Sequence, residues 1–108
     1  MAKISVWAPH VDQIEIDING HTAEMHQDNH GWWSLESPEL EHGVDYAFYV
    51  DGRGPFPDPR SRWQPEGVNG PSRWVDHSIF EWTDDTWQQP PMGSAVFYEL
   101  HVGTFTPE

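Results

Sequence analysis

The sequence predicts an all-β domain with the architecture of a β-sandwich. Three observations lead to this class. Short runs that alternate apolar and polar residues recur at nearly regular spacing, turn-forming Gly, Pro, Asn and Asp separate them, and no apolar stripe of helical period has a useful length. The 108 residues fit one domain, and the seven Trp can fill much of a small core.

The first half of the chain carries the strand signals. The clearest is residues 13–18, where Ile alternates with acidic side chains, and an Asn-Gly pair follows at once. Both turn residues tolerate positive φ, so we expect a two-residue hairpin with Ile16 opposite Ala23, although this register also sets Glu15 against Glu24. Further strands are predicted over residues 3–8, 31–36 and 43–52. The sandwich is expected to occupy residues 1–75.

Residues 53–74 have a different composition. They hold five Pro, which excludes a helix or a central strand, and four of the five basic residues of the chain. Two interpretations remain open. The arginines either form local ion pairs with Asp58 and Glu66 or provide a docking surface for acidic groups or another domain, because long ordered loops in small domains are often functional.

The last third of the chain predicts a linker and then a strand. Residues 76–94 are expected to pack on the sandwich through three anchors, Phe80, Trp82 and Trp87. Residues 95–108 contain an apolar run over 96–102 that is typical of a strand buried on both faces. Alone, such a strand is expected to fold back onto a sandwich edge or to pair with a second copy of the chain, because unpaired apolar strands associate.

Charge and composition exclude several classes of partner. The formal net charge is −13, with 18 acidic and five basic residues, so phosphate backbones and anionic membranes would be repelled. There is no Cys, and the N-terminus lacks the apolar core of a signal peptide, which fits the cytoplasm. We therefore expect no nucleic-acid partner, no membrane and a cytoplasmic location.

No motif of catalysis or metal binding is evident. The seven His lack zinc-site spacing, and neither a nucleophile elbow nor a phosphate-binding Gly loop is present. Glu99 interrupts the apolar run near the end, where a neighbour in a larger structure is expected to hold it. The sequence therefore predicts no catalytic residue, no metal and no cofactor. Trp32 is expected to face away from the core, where an aromatic ring can stack on a sugar.

Several segments resemble one enzyme family. "FPDPRSRWQPEGVNGPSRW" at 56–74, "FEWTDDTW" at 80–87, "YELHVGTFTPE" at 98–108 and the opening "VWAP" at 6–9 are similar to the malto-oligosyltrehalose trehalohydrolases, in the α-amylase superfamily (glycoside hydrolase family 13). The resemblance implies an immunoglobulin-like, early-set sandwich of the carbohydrate-binding module 48 type. It also implies that residues 95–108 are the first strand of a (β/α)₈ barrel that is otherwise absent.

The resemblance implies an accessory role for this chain. The parent enzyme would release trehalose from α-glucan chains as a retaining hydrolase, with an Asp nucleophile and a Glu acid/base on later barrel strands, and this chain alone would be inactive. The module would pack on the barrel in cis and help shape the substrate end of the cleft. The residues expected at that contact are Asp58, Arg60, Arg62, Trp63, Gln64 and Pro65.

The alternative is an independent module that binds maltooligosaccharide or glycogen. Glycogen-binding relatives carry a basic residue after a Tyr and a Trp after the next turn, whereas this chain has Ala47 and Gly54 followed by Pro55-Phe56. Trp32 and Phe56 are then the candidates for glucan stacking. A further departure is Asn69, where the resemblance leads us to expect His before Gly-Pro-Ser.

Overall fold

The computed structural model describes residues 1–107, and its folded part consists of two antiparallel β-sheets. The strands are β1 (Ala2–Trp7), β2 (Ile14–Ile18), β3 (His21–Glu24), β4 (His26–Gln27), β5 (Trp32–Ser37), β6 (Asp45–Val50), β7 (Arg53–Phe56) and β8 (Ser72–Arg73). One sheet has the order β1-β5-β4 and the other β3-β2-β6-β7, with β8 also paired to β6. The all-β sandwich prediction is confirmed.

The core lies between the two sheets and follows the alternation of the strands. Ile14, Ile16 and Ile18 on β2 are 1% exposed or less, whereas Glu15 and Asp17 between them are only half-buried. The other apolar residues of the core are Ile4, Val6, Met25, Trp33, Leu40, Tyr46 and Phe48. Period-two alternation thus sends one face of β2 into the core and turns the other away from it.

The first hairpin has the register that its sequence predicts. Ile16 lies opposite Ala23, and Glu15 lies opposite Glu24. Asn19 and Gly20 both have positive φ, at 51° and 88°, which is the geometry of a two-residue turn matched to the twist of the strands.

A second tight turn, within the larger sheet, contacts the connection between the two sheets. Asp51, with φ of 49°, begins the turn between β6 and β7, and its carboxylate accepts hydrogen bonds of 2.9 Å from the backbone amides of Asp12 and Gln13. Those two residues end the connection that crosses from β1 in one sheet to β2 in the other. The turn therefore fixes the crossing point between the sheets.

The proline-rich segment forms the border of the larger sheet. β7 and β8 both pair with β6, on the side opposite to β2, so the segment begins and ends in short border strands. This agrees with the expectation that residues 53–74 contain neither a helix nor a central strand. Proline is tolerated in border strands because their outward amides need no ladder partner.

The region after the sandwich differs from the prediction. Residues 77–107, here called the tail, are all exposed, including Phe80, Trp82 and Trp87 at 61–67%, so these anchors do not pack on the sandwich. Phe80 and Trp82 pack edge to face on each other instead, with ring centroids 4.8 Å apart. No helix among residues 1–107 has the length and apolar character needed to cross a membrane.

The strand predicted over residues 96–102 is also absent. Residues 95–101 have no regular structure, and a single helical turn, α1 (Val102–Phe105), follows. The segment neither folds back on a sandwich edge nor joins a sheet. An apolar run becomes a strand only where a partner strand completes its backbone hydrogen bonds, and no strand within residues 1–107 does so.

Candidate docking site

A buried carboxylate organises the loop between β7 and β8. Asp58 is 8% exposed, and one of its oxygens accepts a 2.8 Å hydrogen bond from the hydroxyl of Tyr46 on β6. The other oxygen accepts from the backbone amide of Arg60, and the Asp58 amide donates to the Ser72 hydroxyl. Burial and the hydrogen bond to Asp58 raise the pKa of Tyr46, so its proton stays in place. The loop is therefore tied to the core.

Beside this carboxylate lies a cavity of about 210 Å³, here called the basic cavity. It runs between β1 and the segment that begins at β8. The residues that line it are Lys3, Ile4, Ser5, Tyr46, Asp58, Arg60, Arg62, Arg73, Trp74 and Val75. Four of the five basic residues of the chain thus surround one cavity.

Among the basic residues of the cavity, Arg73 is the one that forms an ion pair within residues 1–107. Its guanidinium donates two hydrogen bonds, of 2.6 and 3.0 Å, to the two carboxylate oxygens of Asp45. This pairing holds the pKa of Asp45 below its usual range. The same guanidinium lies 5.0 Å from the ring centroid of Trp63. The ring centroids of Trp63 and His42 are 6.0 Å apart. Trp63 stays 39% exposed, so an aromatic surface borders the basic cavity.

The six residues predicted for interdomain contact divide into three groups. Asp58, Arg60 and Arg62 line the basic cavity, and Trp63 lies on the neighbouring aromatic surface. The Gln64 side chain instead closes its own loop, by donating to the Val68 carbonyl at 3.2 Å. Pro65 is exposed and does not line the basic cavity.

The local ion pairs weighed for this loop do not form. Within the described residues, 1–107, no arginine is ion-paired with Asp58 or with Glu66, and Arg73 reaches across to Asp45 instead. Asp58 serves as an acceptor for Tyr46 and for a backbone amide, because it is buried against the core. The arginines of the loop are therefore left facing the basic cavity and solvent.

Trp32 faces outward as predicted, but it is not a free platform. It is half-buried, and the Arg60 guanidinium lies 6.0 Å from its ring centroid. Directly opposite on β1 is Trp7, which is 59% exposed and donates its indole N–H to the His30 carbonyl. The sequence reasoning missed Trp7, although the alternation of β1, with Val6 facing inward, was the signal that could have identified it.

Phe56 lies on a different surface. It is 46% exposed and borders a second cavity of about 390 Å³, together with Tyr49 and the polar side chains of Asn19 and Asn69. This cavity, here called the aromatic cavity, lies beside the first hairpin turn and near Pro71. The two residues predicted for glucan stacking, Trp32 and Phe56, do not line one cavity. Asn69, the departure from the family pattern, is an exposed residue of the aromatic cavity.

The structure adds little chemistry beyond these two cavities. Among residues 1–107, no three His, Asp or Glu side chains converge in the way that a metal site requires. Glu99, the acid within the apolar run, is exposed on the tail. The sequence reasoning also missed Lys3, which lines the basic cavity, and Ser72, which supports Asp58. Ser72 is placed by the pairing of β8 with β6, and Lys3 by the packing of the other sheet beside them.

Comparisons with known proteins agree on a relationship. No protein-family model matches the chain. It is 45% identical to a malto-oligosyltrehalose trehalohydrolase of Arthrobacter ramosus, over 98% of this chain and 19% of that protein. It is 36% identical to the same-named enzyme of Saccharolobus solfataricus, over 96% of this chain and 18% of that protein. The chain therefore spans less than a fifth of the length of these curated relatives.

A solved structure gives the same result. A Salmonella typhimurium protein assigned as an alpha amylase superposes with a TM-score of 0.79 at 34% identity, over 97% of this chain and 18% of that one. PulA of Klebsiella pneumoniae superposes with a TM-score of 0.57 at 20% identity, over 68% of this chain and 8% of that one, which shows a similarity of fold. By sequence and by fold, the chain belongs to the malto-oligosyltrehalose trehalohydrolase family of the α-amylase superfamily, as an N-terminal β-sandwich domain.

Proposed function

We propose that this chain is the non-catalytic accessory domain of a longer, cytoplasmic hydrolase that releases trehalose from α-glucan chains. In this role the sandwich packs against a catalytic barrel in cis and helps to shape the substrate end of its cleft. The activity belongs to the parent enzyme, a retaining glycoside hydrolase. The names and lengths of the relatives support this proposal.

The exposure of the tail is the observation that carries the proposal. Eleven large apolar side chains of residues 77–107 are exposed, at 43% or more. They are Ile79, Phe80, Trp82, Trp87, Met92, Val96, Phe97, Tyr98, Leu100, Val102 and Phe105. Exposure of so many large apolar side chains in one segment is typical of a segment that is covered in a larger assembly.

The shape of the loop between β7 and β8 supports docking on the same side. Hydrogen bonds of Asp58 tie the loop to the core, and Val75, which lines the basic cavity, lies two residues before the tail. A preformed loop loses little conformational entropy when it docks. The loop and the tail can therefore contact one partner body together.

Hydrogen–deuterium exchange tests the docking. The 108-residue chain is compared with the full-length product of its gene. Docking predicts that amides of residues 56–64 and 96–102 exchange at least about tenfold more slowly in the full-length protein. Equal exchange in both proteins, or a stop codon directly after Glu108, would overturn the proposal.

The aromatic cavity favours a second candidate function, binding of maltooligosaccharide by the module itself. Phe56 and Tyr49 offer ring surface there, and Asn19 and Asn69 offer amide groups, a combination that suits sugar hydroxyls. Trp32 contributes less, because Arg60 lies over its ring. Calorimetric titration with maltoheptaose tests this function. Saturable binding below about 1 mM that Phe56→Ala abolishes supports it, and the absence of saturation in both heat and Trp fluorescence excludes it.

A further inference from the structure

The basic cavity concentrates positive charge in a strongly acidic molecule. The chain carries 18 acidic residues and five basic ones, yet four of those five line a single cavity of about 210 Å³. Bringing like charges together raises the free energy of the folded chain unless an opposite charge is near. Such an arrangement is typical of a surface that attracts an anionic group.

The carboxylates near the cavity offset only part of this charge, since Asp58 lines the cavity and Glu36 lies opposite Lys3 on the neighbouring strand. Asp45 is engaged with Arg73, and both oxygens of Asp58 accept hydrogen bonds from Tyr46 and from a backbone amide. Within residues 1–107, no ion pair involves Lys3, Arg60 or Arg62. Lys3 and Arg62 are exposed, and Arg60 rests on the face of Trp32. Three positive side chains therefore border the cavity without an ion pair of their own in the described part of the chain.

We propose that the basic cavity binds a carboxylate-bearing segment of the catalytic portion of the longer enzyme. This inference rests on the proposed function and names the chemistry of that contact. Arg60 and Arg62 each carry a planar guanidinium, which can donate two parallel hydrogen bonds to a carboxylate, and Lys3 adds a third charge from β1. An Asp or Glu side chain entering the cavity would complete these bonds.

Two features favour a protein carboxylate over a free anion. Val75 lines the cavity two residues before the tail begins, so the rest of the parent chain is tethered close to it. A tethered group reaches an effective concentration of about 1 mM or more, which lets it outcompete most small anions. In addition, Trp63 and Trp74 adjoin the arginines, and Trp and Arg are the residues most enriched at the centres of protein interfaces.

Charge reversal in the full-length enzyme tests the proposal. In the full-length protein, the double variant Arg60→Glu/Arg62→Glu is expected to speed the amide exchange of residues 56–64 by about tenfold or more. In the 108-residue chain, the same double variant is expected to leave this exchange unchanged. Arg53→Glu is the matched control, because Arg53 is a basic, exposed residue that does not line the cavity. It is expected to leave the exchange within twofold of wild type.

The outcomes separate this inference from the proposed function. If wild-type residues 56–64 are protected in the full-length enzyme and the double variant keeps that protection, docking stands and the carboxylate contact is wrong. If wild-type protection is absent, the docking proposal itself fails. Unchanged thermal unfolding of the 108-residue double variant checks that the substitutions leave the sandwich folded.

Titration with inorganic phosphate provides a second readout. A cavity filled by a protein carboxylate should bind phosphate in the 108-residue chain and at least about tenfold more weakly in the full-length enzyme. Equal affinity in the two proteins would mean that the cavity stays open to free anions, and no binding to the short chain would mean that its cations do not act on an anion. Either result overturns the proposal.

Discussion

The hydroxyl of Tyr46 donates a 2.8 Å hydrogen bond to the carboxylate of Asp58, and both residues are buried, at 4% and 8% exposure. This bond joins a core strand to a loop twelve residues further along the chain. It satisfies a carboxylate that would otherwise be costly to bury. The shape of the basic cavity depends on it, because Asp58 also positions the backbone of Arg60.

Removing that hydroxyl should be costly. Tyr46→Phe leaves the buried Asp58 carboxylate without its side-chain donor, so we expect the free energy of unfolding to fall by about 1–3 kcal/mol. Tyr49→Phe, a half-buried position on the same strand, is the control and should change it by less than about 0.5 kcal/mol. Urea unfolding of the 108-residue chain measures both. Equal losses in the two variants would contradict the role assigned to the bond.

The Asp45–Arg73 pair predicts a pH dependence. Arg73 lowers the pKa of Asp45 in the folded state. At any pH between the folded-state and unfolded-state pKa values of Asp45, the unfolded chain therefore binds more protons than the folded chain. The stabilisation is therefore complete above about pH 4–5 and is lost as pH falls through the lower, folded-state pKa. Asp45→Asn should reduce the melting temperature at pH 7, and the difference should shrink toward zero near pH 2. Asp85→Asn, on the exposed tail, should show no difference at either pH.

Gly31 should resist substitution more than Gly20. Both have φ near +85°, where an L-residue costs about 1–2 kcal/mol. A Cβ on Gly31 would also meet Pro9 at 2.7 Å, whereas a Cβ on Gly20 meets nothing within 4 Å. Gly31→Ala is therefore expected to lose about 1–3 kcal/mol more than Gly20→Ala. Chemical unfolding of the two variants gives the comparison, and equal losses would show that Pro9 yields freely.

The exposed tail predicts concentration-dependent association of the isolated chain. Val96 and Phe97 are 94% and 82% exposed, in an apolar stretch with no partner strand among residues 1–107. Val96→Asp/Phe97→Asp should give a monomer at concentrations where the wild type forms larger species, because charge on an apolar segment opposes pairing. Sedimentation velocity over a concentration series measures this. A wild type that stays monomeric throughout would contradict the prediction.

The chain alone should not hydrolyse maltooligosyltrehalose. The accessory role proposed above assigns the catalytic carboxylates to the rest of the parent enzyme. A retaining hydrolase needs two free carboxyl groups about 5–5.5 Å apart across the scissile bond. Trehalose release by the purified chain should equal the buffer background, whereas the full-length gene product should be active. Activity of the chain that a carboxylate substitution abolishes would refute the accessory role.

Local patterns predicted the first half of the fold well. The alternation in β2 and the Asn-Gly turn determine the hairpin register, because a one-residue slip would turn Ile16 and its neighbours out of the core. The apolar run at 96–102 forms no strand in this chain, so its assignment as the first strand of a barrel stays a prediction. Its pattern describes a strand only in the presence of neighbouring strands, and no local feature of the sequence reports whether those neighbours are present.

The candidate site was predictable only in part. Composition identified the arginines of residues 53–74, because four basic residues in one loop of an acidic chain are conspicuous. It could not show that Lys3 lies near these arginines, since that proximity arises where β1 packs beside the segment that begins at β8. Nor could it show that Asp58 is buried under Tyr46, because that contact depends on where a proline-rich loop folds back.

The Asp51 carboxylate has a practical consequence for protein engineering. The connection between β1 and β2 looks like a tolerant place to insert a tag or to open the chain, because His10 and Asp12 are exposed. Its last two amides, however, are hydrogen-bonded to the carboxylate of Asp51, in the turn that follows β6. A new chain terminus or a fluorescent insert should therefore be accepted at His10 and rejected two residues later, where it would separate the two sheets from the turn that aligns them.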